Sequence, residues 1–334
     1  MIRYGVIGFG HHGEKRIAPS FKLAHNSVLA GIWRRDPVKA QANAAAFGIE
    51  HVFPTAEALC GSPDIDAVFV ASPDSHHLAD VLLALRHGKP VLCEKPLAMS
   101  VDEAEQMVAA ARQAGVVFGV AQNMRFNASL QLMRQWLAEG RVGRPLLAHA
   151  QFCYSAETSP RAWIYDPKLA LGGPIGDVGV HCMDSLRFIM ASEVASVSTL
   201  AVRDAKSGEV ESSAIVAAEF DNGALGMVSV TTRGKYRSLI EITGESGVLR
   251  CEDGMTVDHP VEVAIVSGGK VIASQQVSNA DGYARMFDNF SDVVEGRGDF
   301  LAPGEDGLRN QIILDAAYLS WRTGSRQIIA ELHA

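Results

Sequence analysis

Three residues in this chain sit where they could move protons. Lys95 stands in Cys93-Glu94-Lys95-Pro96, directly after a short apolar run. A lysine there can hydrogen-bond a substrate hydroxyl, and its charge favours loss of the hydroxyl proton. Asp177 and His181 stand in Gly172-Gly173-Pro174-Ile175-Gly176-Asp177-Val178-Gly179-Val180-His181. Four residues apart, they share one face if the segment is helical. A His–carboxylate pair suits a proton relay, because imidazole titrates near neutrality without help. Taken singly, each residue also has a plainer reading: a surface lysine on a loop, or a capping aspartate beside a core histidine. A metal centre would need further ligands, and nothing nearby has ligand spacing, so no metal is expected.

A second motif binds rather than reacts. Gly8-Phe9-Gly10-His11-His12-Gly13 is a GxGxxG that follows an apolar strand and opens a helix. The first glycine permits the tight turn, the second lets the backbone approach a pyrophosphate, and the third lets helix and sheet pack closely. Backbone N–H groups at the helix start then face the phosphates. The residues about twenty positions further on choose the dinucleotide. Here they are Trp33, Arg34 and Arg35, an aromatic and two guanidinium groups in place of the acid that would take the ribose hydroxyl of NAD. Arginine binds a 2′-phosphate through paired hydrogen bonds and stacks on adenine. NADP is therefore the expected cofactor, with NAD as the alternative. Asp36 precedes Pro37 and reads as the cap of the next helix.

The elements that must carry these groups follow from pattern. Ile2–Ile7, Ser27–Ile32, Ala67–Val70, Val91–Cys93 and Val116–Val120 read as strands buried on both faces. Helical stretches at Pro37–Phe47, Ser75–Arg86 and Val101–Ala114 lie among them. This alternation implies a doubly wound parallel sheet, with the ligand at the carboxyl ends of its strands. After about residue 121 the rhythm changes. A helix over Ser129–Glu139 and a strand over Leu146–Phe152 precede about seven β-type runs between Val194 and Val277, divided by turn signals such as Asp221-Asn222-Gly223. Helices at Ala284–Glu295 and Gly307–Arg322 and a last strand at Gln327–Ala330 complete the chain. The expected fold class is α/β: residues 1–121 as a dinucleotide-binding Rossmann domain, and 122–334 as an α+β domain on a large, mostly antiparallel open sheet that binds substrate and self-associates.

Composition narrows the setting. The 334 residues are 48% hydrophobic and 20% charged, as in a folded globular protein. A net charge of −8 argues against a broad nucleic-acid footprint, and no apolar run approaches the ~20 residues of a membrane span. Five cysteines form no CxxC pair, which favours a reducing cytoplasm over a disulfide framework. The β-rich segment has its helices mostly at its two ends, so one sheet face is expected to lack cover and to form a homodimer or homotetramer.

Together the GxGxxG, the Glu-Lys-Pro and the Gly-Gly-x-x-x-Asp-x-Gly-x-His resemble the glucose–fructose oxidoreductase/inositol dehydrogenase (Gfo/Idh/MocA) family. Ala71-Ser72-Pro73-Asp74-Ser75-His76-His77, Arg125-Phe126-Asn127 and Gly140-Arg141-Val142-Gly143 extend the likeness along nearly the whole chain. The resemblance implies an oxidoreductase that moves hydride between a nicotinamide and a hydroxyl carbon of a sugar or polyol. It implies Lys95, Asp177 and His181 as the catalytic group, with His181 accepting the proton, Lys95 polarising the oxygen, and Asp177 positioning the substrate or tuning its neighbours. It adds Phe9, His11, His12, Ser72, Pro73, His77, Glu94, Asn123, Trp163 and Tyr283 as cofactor contacts. Two alternatives stand beside it: nicotinamide-assisted cleavage of a glycosidic bond, and a dinucleotide-binding sensor without chemistry. The chain departs from the family's pattern at Ile164, where an arginine often follows the tryptophan, and at Gln122, where an aromatic is frequent.

Overall fold

The computed structural model describes residues 1–157 and 161–330. Its chain divides into two compact units. The first holds Met1–Gln122 together with Tyr283–Gln311, and the second holds Asn123–Gly282 together with the chain from Ile312 onward.

The first unit is built on six strands: β1 (Ile2–Ile7), β2 (Ser27–Trp33), β3 (His51–Val52), β4 (Ala67–Val70), β5 (Val91–Cys93) and β6 (Phe118–Val120). They run parallel in the order β3-β2-β1-β4-β5-β6, the doubly wound arrangement whose strand order reverses beside β1. Strands β4 and β5 are buried throughout, which accounts for their unbroken apolar runs. The two-residue β3 is too short to leave a periodic signal. The last strand starts at Phe118 rather than Val116, because Gly115, at φ 66°, ends the preceding helix and the next two residues lead out of that turn.

Tyr283–Gln311 belongs to this first unit, so the second domain is not the contiguous 122–334 that the sequence suggests. Aromatic packing gives the reason. Phe287, fully buried, lies 5.2 Å from the rings of both Tyr4 and Phe69 and 4.2 Å from Phe21. The Tyr4 hydroxyl donates to the Phe287 carbonyl at 3.2 Å, and Asp288 accepts from the backbone of His25 and Asn26. A patch of this size, left bare on the sheet, would forgo ~1.5–3 kcal/mol for each large side chain it exposed.

The second unit carries a nine-stranded sheet: β7 (Pro145–Ser155), β8 (Val194–Val202), β9 (Ser213–Phe220), β10 (Leu225–Thr231), β11 (Arg233–Gly244), β12 (Val248–Glu252), β13 (Val261–Ser267), β14 (Lys270–Val277) and β15 (Gln327–Ile328). Their order is β14-β13-β12-β11-β7-β10-β9-β8-β15. All pairs are antiparallel except β7 with β10, where the first strand of the unit is inserted beside a later one. One face is covered by the helices Ala128–Ala138 and Val180–Met190, with Leu130, Met133, Leu186 and Ile189 against Ala148, Ala150, Val228 and Ile240. The other face presents Leu147, Leu200, Val202, Ile215, Leu225 and Met227 to solvent. Every residue of Val180–Met190 is buried. Its charge is neutralised internally: Arg125 grips Asp184 at 2.7 and 2.9 Å, and Arg187 lies 3.5 Å from the same carboxylate. Among the described residues no helix is long and apolar enough to cross a membrane.

Candidate active site

In the first unit the functional groups gather at the carboxyl ends of the strands. β1 ends in Gly8, whose φ of +83° belongs to the left-handed region. A Cβ there would stand 2.5 Å from the backbone nitrogen of Ser72, so the turn after β1 and the turn after β4 touch only because this residue is glycine. The N–H groups of Gly8 and Phe9 donate to the Trp33 carbonyl at the end of β2, at 3.0 and 3.2 Å. Gly10 is different: a Cβ would meet nothing nearer than 3.8 Å. Its missing side chain leaves open space above the helix start, where the first N–H groups have no intrahelical partner. Gly13 lies over the buried Phe9 ring, 2.9 Å from where a Cβ would be. Phe9 therefore supports the turn from beneath and offers a ligand only its backbone.

The Glu-Lys-Pro segment follows β5, and its Lys95–Pro96 peptide is cis. Glu94 is buried and lies 2.9 Å from His12 Nε2, while its other oxygen accepts from the Lys95 N–H at 3.1 Å. Burial pushes the Glu94 carboxyl up, but the charge and hydrogen bond of His12 together with Lys95 outweigh it, leaving the group at about 2. The His12 ring also stands 5.8 Å from that of Tyr283. Three stretches distant in sequence, at His12, Glu94-Lys95 and Tyr283, are thus brought together. His77 is fully buried, with one ring nitrogen 3.0 Å from the Pro96 carbonyl and the other 2.9 Å from the Ser72 carbonyl. It ties the two turns to each other, and that buried bridge is where its ring is engaged. Ser72 donates to Asp80 at 2.6 Å.

At the end of β2, Arg34 Nη1 reaches Glu14 at 3.1 Å and Asn43 at 2.5 Å. Arg35 is exposed. Asp36 accepts from the N–H groups of Val38 and Lys39, both at 3.1 Å, and so caps the helix Pro37–Phe47. Gln122, in the first unit, and Asn123, in the second, are both buried.

The second unit holds Asp177 and His181. The glycine-rich stretch does not run as one α-helix. Ile175–Gly179 is wound as a π-helical turn, and α-helix follows over Val180–Met190. The four-residue spacing therefore crosses a change of pitch, a device that recurs at functional sites. The start of this helix is fixed by Glu211, whose carboxylate accepts from the N–H groups of Gly173 at 3.0 Å and Ile175 at 2.8 Å and from the Tyr318 hydroxyl at 3.0 Å. Burial raises the Glu211 carboxyl, against the downward pull of those donors. A Cβ at Gly172 would fall 1.9 Å from the Tyr318 hydroxyl, and one at Gly173 would fall 2.0 Å from the Glu211 carbonyl.

The Asp177 carboxylate accepts from the Tyr154 hydroxyl and from both terminal nitrogens of Arg161, each at 3.2 Å. Burial and the adjacent carboxylate drive the Tyr154 phenol far above its ordinary value, so it remains a donor. His181 is buried within its helix and Trp163 is half-buried.

Sequence reasoning passed over Tyr154, Arg161, Glu211 and Tyr318. Tyr154 and Phe152 continue the inward alternation of β7, which could have flagged Tyr154. Arg161 lies two residues before Trp163, close to where Ile164 leaves a cation missing. Glu211 and Tyr318 carry no local signal at all.

The nucleotide cradle fits a dinucleotide on this structure's own terms: Gly10 leaves room that any side chain would fill, and the helix start beside it presents N–H donors to an anion. Comparison with known proteins agrees. Residues 2–122 match the family model described as "Oxidoreductase family, NAD-binding Rossmann fold", and residues 130–250 match the "GFO/IDH/MocA C-terminal domain". The chain is 31% identical to the 1,5-anhydro-D-fructose reductase of Ensifer adhaerens, over 92% of each chain. It is 27% identical to the D-apiose dehydrogenase of Rhizobium rhizogenes, over 97% of this chain and 96% of that one. Among solved structures, an oxidoreductase domain protein from Kribbella flavida superposes with a TM-score of 0.88 at 25% identity, covering 99% of this chain and 100% of the other.

The Glu94 pairing has a consequence for acid stability. Its carboxyl is lowered from 4.5 to about 2 in the folded chain, so the stabilisation is fully present above pH 4.5 and is lost as pH falls toward 2. Thermal melts of wild type and Glu94→Gln from pH 6 to pH 3 should differ most at the upper end and converge on acidification. A pH-independent gap would contradict the pairing.

Proposed function

The chain belongs to the Gfo/Idh/MocA oxidoreductase family, and we propose that it moves hydride between a nicotinamide dinucleotide and a hydroxyl-bearing carbon of a sugar, sugar derivative or cyclitol. One observation carries this reading. Lys95, Asp177 and His181 are all present in a chain whose relatives, aligned over nearly its full length, bear the names of sugar reductases and dehydrogenases. When bound, the dinucleotide supplies the hydride acceptor or donor. Lys95, at the end of β5, polarises the hydroxyl oxygen with its ammonium. His181 takes the hydroxyl proton as the carbon is oxidised, and returns it in the reverse direction. Asp177 holds the geometry around them.

We further propose NADP as the preferred form. Asp36, the acid nearest the expected ribose position, has its carboxylate on the helix N-terminus. Arg34 is anchored by Glu14 and Asn43, and Arg35 beside it is exposed. A 2′-phosphate must share Arg34 with the Glu14 carboxylate, so affinity for the two cofactors reads this balance directly. The cytoplasm is the setting we infer from five free cysteines, four of them buried.

Self-association through the bare sheet face is the third part of the reading. Leu225 and Leu147 are register neighbours on β10 and β7, and Met227 and Ala217 on β10 and β9. They form a continuous apolar strip of the kind that marks an interface.

Four experiments test these parts. A panel of sugars, cyclitols and keto-sugars with both cofactors should give stoichiometric change at the nicotinamide absorbance. Lys95→Ala and His181→Ala should each lower kcat by ~10²–10⁴-fold, and near-normal turnover in folded His181→Ala would remove it as the base. Arg34→Ala should weaken NADP binding by roughly ten- to a hundredfold and NAD binding little, with equal losses in calorimetry counting against NADP. Light scattering at micromolar concentration should give a dimer or tetramer for wild type and a smaller species for Leu225→Glu. A monomeric wild type would refute the interface.

A further inference from the structure

We propose that Tyr154 and Arg161 are positioning residues that hold the Asp177 carboxylate as a fixed anion, leaving proton transfer to His181. This inference rests on the reading of His181 as the base. It concerns residues that neither the sequence motifs nor that reading assigns.

Asp177 is mostly buried, with a side-chain exposure of 12%. Arg161 meets it as a fork, Nη1 on Oδ1 and Nη2 on Oδ2, both at 3.2 Å. Tyr154 donates its hydroxyl to Oδ2, and Arg161 Nη2 lies 3.4 Å from that hydroxyl. Both carboxylate oxygens are thus engaged, by a bidentate cation and a neutral donor. Such a set stabilises the charged form and fixes the plane of the group. A carboxylate held this way is a poor proton acceptor, because protonation would forfeit the ionic part of three contacts.

Other groups around this helix start leave the assignment intact. Glu211 directs its oxygens to the backbone of Gly173 and Ile175 and to Tyr318. Tyr165 is engaged by Arg233, whose Nη1 lies 3.2 Å from its hydroxyl, and Arg233 is in turn paired with Asp204. His181 follows four residues on, in the same helical segment.

The placement of Arg161 has a second effect. It stands two residues before Trp163, and Tyr165 two residues after it, so the short helical turn Ala162–Tyr165 is tied at both ends. Arg161 brings a cation to the catalytic helix where Ile164 brings none.

The first test needs no substrate. In protein labelled with ¹³C at the aspartate carboxyls, the Asp177 resonance is assigned by its loss in Asp177→Asn. In wild type it should stay ionised throughout the neutral and mildly acidic range. In Arg161→Gln its midpoint should rise by about 1–3 pH units, the usual effect of an adjacent cation. Arg161→Lys should recover part of the shift, and Tyr154→Phe, which preserves shape, should show a smaller rise. An Asp177 midpoint that is unmoved in Arg161→Gln or Tyr154→Phe overturns the proposal. The second test uses the sugar found active in the panel. In Arg161→Gln the acid limb of kcat/KM should move to higher pH, with Arg161→Lys restoring part of it, whereas a purely structural residue would lower activity evenly across pH. An unmoved acid limb in Arg161→Gln also counts against the proposal. Failure of the whole panel would reject the dehydrogenase reading while leaving the carboxylate titration to decide this one.

Discussion

A single buried carboxylate determines where the second unit's helix begins. Glu211 sits beneath the Gly172-Gly173 turn and takes two backbone N–H groups that would otherwise be buried without partners. Leaving such groups unmet costs on the order of 1–3 kcal/mol each, so the turn cannot drift from Glu211 without loss. Tyr318 adds its hydroxyl to the same carboxylate and accepts from the N–H of Gly176 at 3.2 Å. The glycines are needed for reach: side chains at 172 and 173 would occupy the space that Tyr318 and the Glu211 backbone already fill. Asp177 and His181 inherit their positions from this contact. The π-helical turn between them is a consequence of starting the helix at that point and continuing it into the fully buried Val180–Met190.

The first unit joins its turns by close backbone approach. Gly8 lets the turns after β1 and β4 meet, and His77 bridges the turns after β4 and β5 through carbonyl oxygens. The result is a rigid rim at the carboxyl ends of the strands. Glu94 and His12 face each other there, with Lys95 next in the chain. A rim made of backbone contacts tolerates little substitution, whereas Arg34, at the end of β2, is held by side chains alone, Glu14 and Asn43.

The two site regions also differ in how their charges are handled. Glu94 is kept ionised by a histidine and by the chain's own N–H, whereas Asp177 meets a guanidinium fork and a phenol. Asp184, deeper in the second unit, is flanked by Arg125 and Arg187. Glu94, Asp177, Asp184 and Glu211 each have an opposing partner or a set of N–H donors, as the cost of burying an uncompensated charge requires.

By itself the sequence determined whatever depends on local period or on contiguous spacing. The parallel strands, the GxGxxG turn, the Asp36 cap and the seven β-type runs after Val194 are all written in neighbouring residues, because strand alternation, glycine turns and helix caps are short-range effects. Lys95, Asp177 and His181 were legible for the same reason, each lying in a compact motif. Tertiary structure decided the rest. Phe287 returns a late segment to the first unit because its sheet face needs apolar cover, and nothing near residue 283 announces that need. Glu211 reaches its turn from 36 residues away, Tyr318 from over a hundred, and Arg161 finds Asp177 across a loop. Such partners are chosen by the folded geometry, since a buried polar group accepts whichever residue the packing brings to it, and spacing along the chain does not record the choice.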